Sequence, residues 1–137
     1  MPDDWNGEVA ITEELDIVAV RQAVRDAARS MEFGVTDVTR IVTAASELAR
    51  NVYNYAGSGD MRWRQVSSNG RRGIELCFDD RGPGIEDVDE ALLEGFTSGK
   101  GLGMGLPGAR RLMGELDIQS RVGQGTTVTV RKWLGRA

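Results

Sequence analysis

Apolar residues recur at helical spacing in two long stretches of the chain. Over residues 16–31, Ile17, Val20, Val24, Ala27, Ala28 and Met31 fall on one side of a helix, and Gly34 interrupts the run. Glu13 and Glu14 suit the first turn of that helix, with Thr12 or Asp16 as its cap. Over residues 36–56, Val38, Ile41, Val42, Ala45, Leu48, Ala49 and Val52 repeat the same spacing, and Gly57 and Gly59 end it as C-cap glycines do. Alternation then replaces the helical period. Ile74, Leu76 and Phe78 alternate with Glu75, Cys77 and Asp79, so residues 72–80 read as a strand with its even-numbered side toward the core. It pairs with a strand over 61–67 across Asn69-Gly70, a strong hairpin signal.

A short strand is expected over 8–12, a short helix over 86–93, and a helix over 106–113 with Pro107 near its start. A last hairpin joins 115–121 to 126–133, with Thr126, Val128 and Val130 on its inner side. The order β-α-α-β-β-α-loop-α-β-β predicts an α+β fold, a two-layer sandwich with helices on one face of a mostly antiparallel sheet. The other sheet face, with Glu75, Cys77, Thr127 and Thr129, is expected to be open to solvent or a partner. The 137 residues are expected to form a single domain, with 1–6 as a flexible tail.

Composition narrows the function. A net charge of −4 argues against a general nucleic-acid binder, which carries a basic stripe. No apolar run is long enough for a membrane span, and the acidic N-terminus is not a secretory signal, which together point to the cytoplasm. Cys77 is the one cysteine, so there is neither an internal disulfide nor a cysteine metal site. The chain has no histidine, so acid–base chemistry falls to carboxylates, Lys, Tyr or water.

Four local patterns carry candidate chemistry. Glu47 and Asn51 lie one turn apart on the long helix, and with Asn54 they form a stripe roughly 150° from the centre of its apolar face. Such a stripe serves equally as a solvated edge or as a place to hold a divalent metal and activate a hydroxyl. Asp80-x-Gly82-x-Gly84 ends a strand with an inward carboxylate, which needs partners and can accept from an adenine amino group. Gly99-Lys100-Gly101-Leu102-Gly103-Met104-Gly105 opens a helix, where free backbone N–H groups suit phosphates and Lys100 adds a point charge. Gly125-Thr126 starts a strand, with Thr126 facing inward.

Their order along the chain is more specific than any one of them. With the stretches DIVAVRQ, SELARNVYNYAG, DDRGPGI, GLGMGLPGARRLM, GQGT and KWL, the chain resembles the ATP-binding module of gyrase-type ATPases, a heat-shock chaperone, sensor histidine kinases and MutL. Within that superfamily it is similar to the small anti-sigma-factor serine/threonine kinases of the bacterial stressosome type. The resemblance implies a Bergerat-type ATP-binding fold with a mixed sheet. It implies Asn51 as the Mg²⁺ ligand bridging ATP phosphates, and Glu47 as the general base toward a serine or threonine of a partner. Asp80 would bind the adenine amino group, with Gly82, Gly84 and Thr126 shaping the pocket, and Gly101, Gly103 and Gly105 would cradle phosphates. The implied partners are a STAS-domain antagonist as substrate and a PP2C-type phosphatase, with a homodimer also open. The alternative is a nucleotide-bound anti-sigma factor that holds a sigma factor as a binding module.

Overall fold

Five strands form one sheet in the order β1-β2-β3-β5-β4, where β1 is Gly7–Ile11, β2 Gly59–Ser68, β3 Arg71–Asp80, β4 Glu115–Arg121 and β5 Gly125–Trp133. This computed structural model describes residues 5–84 and 105–135. All four ladders are antiparallel, so the mostly antiparallel sheet expected from the hairpins is antiparallel throughout the described residues. Asn69 and Gly70 both take positive φ, as the tight β2–β3 turn requires. The short helix expected over 86–93 lies outside the described residues.

Three helices cover one face: α1 (Asp16–Ser30), α2 (Val35–Ala56) and α3 (Gly105–Met113). α2 is the central one, packed between α1 and α3 and against the sheet. Ile41, Ala44, Ala45, Leu48, Ala49 and Val52 bury its inner side against Met61, Leu76, Phe78 and their neighbours in one core. Fully burying side chains of this size contributes about 1.5–3 kcal/mol each, which holds a helix that propensity alone would not. Gly57, at φ 80°, ends α2 and sends its N–H back to the carbonyls of Val52 and Tyr53. No helix among the described residues is long and apolar enough to cross a membrane.

Two expectations change. Residues 5 and 6 do not trail as a tail: the Asn6 N–H donates to the Trp63 carbonyl at 2.8 Å, and Gln65 N–H donates to Asn6 Oδ1 at 2.8 Å. Trp5 lies over the Arg64 guanidinium, 4.3 Å from charge to ring centre. The outer sheet face is also not open. Glu75 is only 3 % exposed, clamped by Arg64 Nε at 2.8 Å and Arg131 Nε at 2.6 Å. Cys77 beside it is buried too, its sulfur accepting from the Thr129 hydroxyl at 3.8 Å. Long arginine side chains roof this face, because their apolar stems cover surface while their heads stay wet.

Candidate functional site

Asp80 closes β3 with its side chain on the same side as Ile74, Leu76 and Phe78, as strand alternation dictates. Two backbone donors meet it. Gly82 N–H reaches Oδ1 at 2.8 Å and Thr126 N–H reaches the same oxygen at 3.3 Å. Oδ2 accepts none of the described hydrogen bonds, so it stays available to a ligand. Burial pushes the Asp80 carboxyl above the usual carboxylate range; the two backbone donors pull the other way, and neighbouring Asp79 adds a smaller upward push. Asp79 itself faces outward, accepting from Thr127 Oγ1 at 2.8 Å.

Three glycines fix the surroundings of that carboxylate. A Cβ on Gly82 would lie 2.7 Å from Ala56 Cβ and 3.2 Å from Asp80 Oδ1, so the turn sits directly on the last turn of α2. A Cβ on Gly84, at φ +79°, would strike the Arg121 carbonyl. A Cβ on Gly125, at φ +111°, would strike the Asp80 carbonyl. Gly123 N–H donates to the Pro83 carbonyl at 2.8 Å. Gly84 and Gly125 thus weld the Asp-x-Gly-x-Gly turn to the β4–β5 turn. A cleft of about 570 Å³ opens beside this weld, lined by Asp80, Ile118, Ser120, Arg121, Gly125 and Thr126 among others.

Glu47 and Asn51 do not line this cleft; they lie farther back along α2. Asn51 is five residues before Ala56, about 7.5 Å along the axis, and Glu47 is one further turn away. Asn51 is half-buried, and its Nδ2 is wholly buried without a hydrogen-bond partner. Glu47 is half-buried and makes no hydrogen bond or ion pair among the described residues, whereas Asn54 is exposed. The stripe expected to point away from the core is therefore divided. Its N-terminal part, Glu47 and Asn51, is half-buried, and Asn54 is exposed.

One lysine joins α3 to the start of α2. Lys132 Nζ donates to the Leu112 carbonyl at 2.8 Å and lies 3.8 Å from Asp37 at the start of α2. Lys132 thus ties the C-terminal end of α3 to the N-terminal end of α2, and the two helices pack together. Gly105 is the first residue of α3, and Leu106, Ala109 and Met113 bury its inner side. Lys100, Gly101 and Gly103 lie outside the described residues.

The sequence reading missed Ser120. It stands opposite Thr126 in the β4–β5 ladder, with Ser120 Oγ 2.8 Å from Thr126 Oγ1 and 3.1 Å from the Gly125 carbonyl. The signal was present: Leu116, Ile118 and Ser120 share the parity that β4 turns toward the core.

An orphaned buried amide is a test of whether a ligand fits here. An unpartnered buried donor costs about 1–3 kcal/mol, so a fold tolerates one where another molecule completes it. No group of three carboxylate or cysteine side chains suited to a metal occurs among the described residues. A single amide oxygen suits Mg²⁺, which takes one or two protein ligands and fills its shell from phosphates and water. Either end of the Asn51 amide can face such a group, because the two amide atoms are interchangeable by a flip.

Residues 10–132 match the family described as the histidine kinase-like ATPase domain. The chain is 47% identical over 126 residues to the serine/threonine-protein kinase RsbT of Bacillus subtilis, covering 92% of this chain and 95% of that one. It is 31% identical over 122 residues to an anti-sigma F factor of Caldanaerobacter subterraneus, covering 85% and 84%. Among solved structures, it matches the RsbU and RsbW domains of a Mycobacterium tuberculosis protein with a TM-score of 0.62 at 20% identity, covering 96% of this chain and 34% of that one. The mycobacterial sensor histidine kinase MprB matches with a TM-score of 0.57 at 16% identity, covering 93% and 96%. The two structural matches show the shared fold.

Proposed function

The chain belongs to the histidine kinase-like ATPase family, and from that premise we propose that it is an ATP-dependent serine/threonine protein kinase of a partner-switching pathway. Its substrate is a serine or threonine on a STAS-domain antagonist in the cytoplasm, and on release it switches on a PP2C-type phosphatase. The supporting geometry is the order of groups along α2. The inward Asp80 sits at the last turn, the unpartnered Asn51 amide lies next, and the free Glu47 carboxylate lies beyond it. A nucleotide with its base at Asp80 extends its triphosphate toward the other two.

Asp80 Oδ2 accepts from the 6-amino group of adenine, while Gly82 and Thr126 hold the carboxylate in place through Oδ1. Asn51 would be the protein ligand of Mg²⁺, which when bound neutralises charge on the phosphates. Gly101, Gly103 and Gly105, with Lys100, would hold the phosphates at the start of α3. Glu47 takes the proton from the acceptor hydroxyl, and being one turn from Asn51 it can face the terminal phosphate.

Incubating the protein with labelled ATP, Mg²⁺ and a STAS-domain partner, then locating phosphate by mass spectrometry, tests this reading. Glu47→Ala should cut transfer by about 10²–10⁴-fold with ATP affinity retained. Full transfer by that variant removes Glu47 as the base. The relative named an anti-sigma F factor supports a second reading, in which the nucleotide-bound protein holds a sigma factor directly. Capture of a sigma factor with no phosphate on any STAS partner would favour it.

A further inference from the structure

We propose that Ser120 determines the base preference of the pocket, by fixing the Thr126 hydroxyl as an acceptor. This rests on the nucleotide reading of the cleft. A hydroxyl carries one proton and two lone pairs. The Gly125 carbonyl can only accept, so its 3.1 Å contact uses the proton of Ser120. Ser120 Oγ must then accept in its 2.8 Å contact with Thr126, and Thr126 gives its own proton to Ser120. Lone pairs are all the Thr126 oxygen has left to offer.

The same direction holds at Asp80. Gly82 and Thr126 N–H groups both end on Oδ1, which leaves Oδ2 as a bare acceptor. Asp80 and Thr126 therefore present two oxygens that accept to the base end of the cleft, and the Thr126 hydroxyl proton is not among the donors. A purine with a 6-amino group brings N–H donors to such a floor. A purine with a 6-oxo group brings an acceptor against acceptors, and its lost hydrogen bonds are not replaced. Ser120 acts as a positioning residue through Thr126. Removing its oxygen frees the Thr126 hydroxyl to turn and donate to a 6-oxo group.

Inosine triphosphate is the appropriate probe, because it differs from ATP only in carrying a 6-oxo, N1-protonated ring. Calorimetric titration of the full chain with ATP and inosine triphosphate, each with Mg²⁺, gives the ratio of the two dissociation constants. Ser120→Ala is expected to lower that preference for ATP about tenfold, mainly by tightening inosine triphosphate. Ser120→Thr, which keeps the hydroxyl, is expected to hold the wild-type ratio. Thermal melting checks that the variants are folded, and Ser120→Cys, nearly isosteric and a weak acceptor, is the second removal if the alanine variant is not. A folded Ser120→Ala or Ser120→Cys protein with the wild-type ratio overturns the role of Ser120. Wild-type protein that binds neither triphosphate overturns the nucleotide reading itself, a result distinct from an unchanged ratio.

Discussion

Asn51 imposes a cost on the resting protein, since its buried Nδ2 meets no partner. Asn51→Ala should therefore leave the unfolding free energy of the nucleotide-free protein unchanged or raise it by about 1 kcal/mol. The same variant should lose Mg²⁺-dependent ATP binding; urea unfolding and calorimetry read the two effects separately. Asp80 follows similar logic with a sign set by its titration. Its carboxyl lies above the ordinary value because burial disfavours the charge. Ionised Asp80 thus subtracts stability at neutral pH, and that deficit disappears as pH falls through the raised folded-state value. ATP affinity should fall over the same acidic window, as the carboxyl becomes protonated. In Asp80→Asn, thermal melting near pH 7 should show no loss of stability, while ATP binding weakens at least about tenfold, an amide donor now meeting the amino group. Strand parity alone revealed the inward Asp80. The burial of the Asn51 amide is not legible, because a helical wheel cannot show which flank of a helix the rest of the fold will cover.

The turn after β3 and the turn between β4 and β5 are separate in sequence but form one unit. Gly84 and Gly125 allow the two backbones to meet, and the Gly123–Pro83 hydrogen bond joins them. Gly125→Ala should destabilise the protein by about 2–4 kcal/mol, because it combines a left-handed φ with a clash against the Asp80 carbonyl. Gly70→Ala is the control: φ is +78° but the space is open, so about 1 kcal/mol is expected. Equal losses in urea unfolding would mean that the weld adds nothing. Sequence signals located both glycine motifs, since their spacing after strands is local. The close approach at Gly84 and Gly125 is not legible in the sequence, because only the folded chain brings the Arg121 and Asp80 carbonyls to them. Helices α1 and α2 and both hairpins were legible for the same reason that the weld was not: their periodicities belong to contiguous residues.

Among the described residues, one sheet face packs on helices and side chains close the other over Glu75. Glu75 lies at the centre of that second layer, between Arg64 and Arg131, and Arg131 reaches on to Asp117 at 3.4 Å. Alternation correctly set these residues outside the helical core, but alternation counts a glutamate as exposed. It carries no information about arginines on the two neighbouring strands that fold over it. The ladder register supplies that information, placing Arg64 and Arg131 on either side of Glu75.

Beneath this roof, Cys77 becomes a clock for the opening of the sheet. Burial raises its thiol above the ordinary value, so little reactive thiolate forms while the layer is shut. A disulfide reagent at pH 8 should therefore modify the native protein about 10²-fold or more slower than the urea-unfolded chain, at a rate that reports how often the layer lifts. Equal rates in the two states would mean that the arginine cover is shed continually in solution.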